Sequence, residues 1–254
     1  ARDRGDSLGP FSFFNATMTQ PKAQLDTFKN WAGKSSDNSY YLNSHHIDIC
    51  AWIAGKSSRP TKVTAFAAMG AANKYLNVSD RKIEDTITLT TEWENKEDGS
   101  KGIGIYTASW IAPKSDSHTQ QNFHYCGQNG EIRVNQARRG YEMAMDDEQR
   151  PFANLNPLYM KYTPGKDGYF SGQNGYGYRS IERFVEVCQQ MNDGEITKED
   201  VENMGDLATI ESSARVTAIL EAGRLSLDNS SRGVELVYDK SAPFESEPTA
   251  LRLF

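Results

Sequence analysis

Between residues 85 and 134 the chain reads as one strand after another, with no helical pattern between them. "DTITLTTEWEN" (85–95) and "GIGIYTASWIA" (102–112) alternate apolar and polar residues with period two, and the turn-rich "KEDGSK" joins them as a hairpin. "QNFHYCGQNGEIRVNQARRGYEMAMD" continues the pattern, with Gln128-Asn129-Gly130 as the next turn. Strands that follow each other this closely pair antiparallel, so this region is not built of alternating βα units.

The flanks complete the class. "FSFFNATMT" (11–19) is strand-like and closed by Gln20-Pro21, "KAQLDTFKNW" (22–31) suits a short helix, and "TKVTAFAAMG" after Pro60 reads as a strand. Residues 151–175, rich in Pro, Gly, Asn and Tyr, read as loop. "YRSIERFVEVCQQM" (178–191) and "DLATIESSARVTAILEAGRLSLD" (206–228) are amphipathic helices, and the short strand "GVELVY" follows. The expected fold is α+β: a large, open, mostly antiparallel sheet with helices packed on one face.

Charge and cysteine usage narrow the partners. The 254 residues carry a net charge of -6 and no basic run, which argues against nucleic acid or an anionic membrane. No apolar run approaches the roughly 20 residues of a membrane span. The three cysteines, Cys50, Cys126 and Cys188, are far apart and form no CxxC pair. Neither a zinc site nor a disulfide framework is suggested, no metal is expected, and a reducing, cytoplasmic location fits. The opening "ARDRGDSLGPF" has no signal-peptide core and no initiator Met, which suggests a fragment.

Three motif-like strings fail on context. Gly33-Lys34-Ser35 and Gly55-Lys56-Ser57 lack the P-loop glycine five residues earlier, where Phe28 and Cys50 stand. Gly175-x-Gly177 opens a helix, but Ser180 replaces the third small residue of a dinucleotide fingerprint, and the preceding "GYFSGQN" reads as loop. Asp193-Gly194 resembles a calcium loop, yet Gln189 and Met191 occupy its first two ligand positions.

"SYYLNSHHIDICAWIAG" (39–55) is different. Tyr41, His45, Asp48 and Trp52 recur at steps of four, three and four, which is one helix face, beside an apolar stripe of Leu42, Ile49 and Ile53. His46-x-Asp48 with His118 or His124 would mimic an iron triad, but on a helix His46 and Asp48 diverge by about 200°. Both histidines are either packed in the structure, or His45 points into a cleft as a general acid/base, a role suited to an imidazole near neutral pH.

The same residues resemble the helix motif of the Gfo/Idh/MocA family of NAD(P)-dependent oxidoreductases, Leu-Asp-x-Gly-x-His-x-Ile-Asp-x-x-x-Trp-x-x-Gly. His45, Ile47, Asp48, Trp52 and Gly55 fall in register with it. "ARDRGDSLGPFSFF", "GQNGEIRVNQARRGY" and "LATIESSARVTAILEAGR" resemble further segments of that family's C-terminal half, in order and spacing. "FSFFNATMTQPKAQLDTFKNWAG" and "NSYYLNSHHIDI" resemble its D-galacturonate reductase-like branch.

The resemblance implies that residues 1–254 are one C-terminal substrate-binding and oligomerisation domain. The family's N-terminal Rossmann domain, with its GxGxxG turn and catalytic Glu-Lys-Pro lysine, has no counterpart in these residues. NAD or NADP would serve the full-length enzyme, and this chain alone is expected neither to bind it nor to turn over. The implied substrate is a sugar or sugar acid. His45 would handle the hydroxyl proton, and Tyr41, which stands where the family has Asp, would orient it or bind substrate. Gln20, Lys22, His46, Arg139 and Tyr176 are candidate substrate contacts; Lys22 is equally well read as a solvated surface lysine. Either His45 or His46 faces the cleft. The open sheet face, with Trp93 and Trp110 near it, would make a homo-oligomer. A non-catalytic sugar-binding or scaffold protein that keeps this fold is the alternative.

Overall fold

The computed structural model describes residues 8–113, 120–135, 140–145, 152–155, 161–164, 170–174 and 177–254. Its strands are β1 (Phe11–Pro21), β2 (Ser58–Met69), β3 (Glu84–Asn95), β4 (Lys101–Ala112), β5 (Gln120–Gly127), β6 (Gly130–Asn135), β7 (Gly140–Met145), β8 (Phe152–Leu155), β9 (Lys161–Pro164), β10 (Phe170–Asn174), β11 (Val234–Val237) and β12 (Ala250–Leu253). Its α-helices are α1 (Leu25–Phe28), α2 (Ser44–Ala54), α3 (Ala71–Leu76), α4 (Tyr178–Asn192), α5 (Lys198–Met204) and α6 (Ile210–Asp228). Contacts divide the chain into two compact units, Asn156–Ser213 and the remainder.

The larger unit is built on a ten-stranded sheet in the order β12-β11-β2-β3-β4-β1-β5-β6-β7-β8. The hairpins expected from the alternating pattern are present: β3 pairs antiparallel with β4, and β5 with β6. The centre departs from a simple meander. β1 inserts between β4 and β5, parallel to the former and antiparallel to the latter. Such pairing joins residues about ninety positions apart, such as Phe14 with Gly104, and leaves no local signature.

One sheet face is buried. Phe14, Ala16, Val63, Ala65, Ile87, Leu89, Trp93, Tyr106 and Tyr125 pack there against Ile47, Cys50 and Ile53 of α2 and Ile219 and Leu220 of α6. A second cluster gathers Met18, Ala108 and Trp110 of the same face with Leu25 and Phe28 of α1 and Ala72 of α3. This is the α+β class expected, with helices on one face. The position expected for Trp93 and Trp110 is corrected: both are 0% exposed. Trp93 shares the strand parity of Ile87 and Leu89, so it points inward against Phe11, ring centroids 5.7 Å apart. The other face carries Thr86, Thr88 and Thr107, with Thr88 hydrogen-bonded to Thr107 at 3.1 Å, and exposes Phe66 and Ile103.

Buried polar side chains stitch the layers. Asn95 acts as a surrogate strand partner for Phe11, accepting from its N–H at 3.0 Å and donating to its carbonyl at 2.8 Å. Ser226 of α6 accepts from the Ala65 N–H at 3.0 Å and donates to the Arg232 carbonyl at 2.6 Å. A Cβ at Gly223 would stand 2.5 Å from Leu89 Cδ2, so glycine permits this close seating of α6.

Residues 151–175, expected as loop, contain β8, which extends the sheet, and the antiparallel pair β9/β10 of the smaller unit. That unit also holds α4 and α5. α5 starts on a capping box in which Thr197 and Asp200 satisfy each other's backbone N–H. Among the described residues no helix is long and apolar enough to cross a membrane.

Candidate active site

Helix α2 is placed by the turn before it. Residues Ser39–Asn43 form a single π-turn, and Asp37 receives the Ser39 and Tyr40 N–H groups at 2.8 and 3.0 Å on Oδ1. The other Asp37 oxygen lies 3.2 Å from Arg224 of α6, whose guanidinium also reaches Glu84 at 2.8 Å and Asp228 at 2.6 Å. Burial holds Asp37 above the ordinary carboxylate range, and the Tyr40 N–H and Arg224 oppose that rise. Asn38 and Asn43 donate to the carbonyls of Glu84 and Ile87, which anchors the turn to β3. Gly55, at φ +59°, ends α2.

This anchoring decides the orientation of the two histidines. Tyr41, His45, Asp48 and Trp52 are all solvent-exposed, so the expected polar face exists despite the π-turn. His46 is 1% exposed and lies edge-on to Phe123, ring centroids 6.1 Å apart, with Nδ1 unpartnered among the described residues. Burial pushes its imidazole down to about 4, and the neighbouring His45 adds to the effect. The exposed histidine of the pair is thus His45. Asp48 is open to solvent, yet enough protein surrounds its carboxyl to raise its pKa, and the nearby His45 partly offsets that rise.

Beside this face lies an aromatic cluster. The Tyr41 ring centroid is 4.7 Å from Phe28, 5.6 Å from Trp31 and 6.4 Å from Trp110. Tyr41 is therefore held by packing, and no hydrogen bond joins it to His45. Gln20, at the end of β1, is buried with Oε1 unpartnered among the described residues, as is Oε1 of Gln24 four residues later. Lys22 follows in a short 3-10 turn, Lys22–Gln24, and is half-buried. Arg139 and Tyr176 lie outside the residues whose side chains are described, as does His118.

The iron-triad geometry does not form. His46 packs on Phe123 beneath α2, whereas the next residue along β5, His124, points to the opposite sheet face, where its Nε2 lies 2.7 Å from Glu131.

The described residues also do not form a dinucleotide-binding unit. The segment before Gly175-x-Gly177 is strand β10, not the loop expected, but it belongs to an antiparallel pair. Among the described residues, the one parallel pair, β1 with β4, is separated in sequence by two strands and three helices. Among the described residues, no strand–glycine turn–helix–parallel strand unit is formed to cradle a pyrophosphate.

The α2 face carries groups of the kind that transfer protons. It offers an exposed imidazole with a carboxylate neighbour, beside flat aromatic rings. Sequence reasoning missed the Asp37–Arg224–Glu84 bridge that sets the helix, because its members lie 47 to 187 residues apart, a separation visible as Arg224 bonding Asp37 across 187 positions.

No protein-family model matches the chain, and no curated protein matches it in sequence. Solved structures do. A Thermotoga maritima protein taken to be an oxidoreductase aligns with a TM-score of 0.62 at 15% identity, over 92% of this chain and 58% of its own. Levoglucosan dehydrogenase, in complex with NADH and levoglucosan, aligns at 0.58 and 16% identity, over 92% of this chain and 61% of its own. The myo-inositol 2-dehydrogenase of Lactobacillus plantarum aligns at 0.55 and 15% identity, over 92% and 60%. The chain thus spans less than two thirds of each of these structures. The likeness shows that its α+β fold is one that dehydrogenases of sugars and polyols also contain.

Proposed function

We propose that the chain is the substrate-binding and assembly half of an NAD(P)-dependent oxidoreductase that interconverts the alcohol and carbonyl of a sugar or sugar acid. The observation that carries this reading is the exposed His45–Asp48 face of α2, set against the Tyr41 aromatic cluster in a fold shared with levoglucosan and myo-inositol dehydrogenases. In this reading His45 holds or accepts the proton of the reacting hydroxyl, Asp48 orients the imidazole, and the Tyr41 and Trp31 rings pack on the sugar. Gln20 and Lys22 are the proposed polar contacts of the end of β1, and a lysine there favours a carboxylate-bearing sugar such as D-galacturonate. Arg139 and Tyr176 are retained as proposed substrate contacts.

Because the described residues form no dinucleotide cradle, this reading includes a nucleotide-binding domain in addition to them. The open sheet face, with Phe66 61% and Ile103 48% exposed, is the proposed homo-oligomer interface, and the cytoplasm the proposed location. The protein expressed from its native gene should oxidise or reduce a member of a panel of uronic acids, aldoses and inositols with NAD or NADP. Turnover with none of them, but saturable binding of one, would replace this reading with that of a sugar-binding protein.

A further inference from the structure

The outer face of the sheet, opposite α2, brings together three metal-ligating side chains that the cysteine spacing did not reveal. His124 and Cys126 sit two residues apart on β5, and Glu131 of β6 is the direct cross-strand partner of Cys126. His124 Nε2 lies 2.7 Å from Glu131 Oε2 and 3.0 Å from Cys126 Sγ, while Sγ stands 3.9 Å from Glu131 Oε2. All three ligand atoms are within 4.8 Å of one another. We propose that His124, Cys126 and Glu131 bind one zinc ion, with a fourth position left to solvent or another ligand.

Donor chemistry selects the metal. A thiolate, an imidazole and one carboxylate oxygen suit zinc and disfavour magnesium or calcium, which take oxygen ligands. Around a tetrahedral zinc with ordinary bond lengths, neighbouring ligand atoms stand about 3.4–3.6 Å apart. The present spacings bracket that range: the His124–Glu131 pair would open by roughly 0.7 Å, the His124–Cys126 pair by roughly 0.5 Å, and the Cys126–Glu131 pair would close slightly. The side chains of His124 and Glu131, 32% and 27% exposed, are not locked in the core. Arg133, across the strand pair from His124, lies 2.8 Å from Glu131 Oε1. Its guanidinium places a positive charge near the site and also donates to Glu131 Oε2 at 3.1 Å, so zinc would take Oε2 over from Arg133 and leave the guanidinium on Oε1, as an outer partner of the ligating carboxylate. The Phe13 ring, 5.9 Å from His124, closes one side. On binding, the Cys126 S–H bond breaks, the sulfur electron pair goes to zinc and one proton goes to solvent.

The test uses purified protein stripped with a chelator and titrated with zinc, and separately with cobalt as a spectroscopic substitute. One equivalent per chain should bind, and cobalt should give a thiolate charge-transfer band together with tetrahedral visible bands. Cys126→Ser should abolish the charge-transfer band, and His124→Asn should weaken zinc binding at least tenfold. Both side chains are half-exposed, so the metal-free variants should keep the wild-type far-UV spectrum and melting temperature, and this is measured alongside. Absence of saturable uptake, or equal uptake and an equal cobalt spectrum in the Cys126→Ser/His124→Asn double variant, would overturn the site. Neither result bears on the α2 face, which lies on the other side of the sheet.

Discussion

Acidification from pH 7 to pH 4 should weaken the fold by about 3 kcal/mol through His46 alone. The ring is buried against Phe123, and its pKa falls from 6.5 to about 4. In the unfolded chain the imidazole takes up its proton near pH 6.5, whereas in the fold it resists until near pH 4. Between those values the unfolded state binds more protons, so stability rises with pH and is lost as pH falls. Linkage over that shift gives about 2 kcal/mol by pH 5 and about 3 kcal/mol by pH 4, with little further loss below. Urea unfolding followed by fluorescence of the buried Trp93 and Trp110, at half-unit pH steps, measures it. Asp37 and Asp48 have raised pKa values and act in the opposite sense, so the quantity to read is the difference between wild type and His46→Gln. That difference should change by about 3 kcal/mol over the window. Parallel curves for the two proteins would show that His46 is hydrated in the fold and would refute the packing argument.

Three other substitutions or probes test separate parts of the structure. Asn95→Ala leaves the buried Phe11 N–H and carbonyl without the partners they have at 3.0 and 2.8 Å, and should cost roughly 2–4 kcal/mol in chemical denaturation. Gly33 has φ +69°, and a Cβ there would meet the Lys82 carbonyl oxygen at 2.3 Å; Gly33→Ala should therefore destabilise by at least about 1–3 kcal/mol, read as a lower urea midpoint. Cys50 is fully buried with its thiol pushed up to about 12, so in native protein it should resist alkylation that labels Cys126, as peptide mapping by mass spectrometry would show.

Much of this architecture was legible because the relevant periodicities are local. The β3–β4 and β5–β6 hairpins announce themselves by alternation around turn residues, and α2 by its apolar stripe. Strand parity also carried the answer for Trp93, which steps in twos from Ile87 and Leu89 into the core. What was hidden depends on non-local placement or short length. β8, β9 and β10 are only four or five residues each, in sequence rich in turn formers, so propensity masks them. The insertion of β1 beside β4 is set by burial of Phe14, Ala16 and Met18, not by any neighbouring residue. The helix spacing placed Tyr41, His45, Asp48 and Trp52 together, but it took the Asp37–Arg224 anchor to show that His45 is exposed and His46 packed. His124, Cys126 and Glu131 meet only once the β5–β6 register is known.

The central claim is that His45 moves the substrate proton while His46 serves the core. The decisive measurement is the NAD(P)-linked turnover of the protein from its native gene, as kcat against pH, for wild type and His45→Asn. Because His45 is exposed, the variant should unfold within about 0.5 kcal/mol of wild type while kcat falls about 10²–10⁴-fold. An unchanged kcat and pH profile in a folded His45→Asn protein would contradict the account.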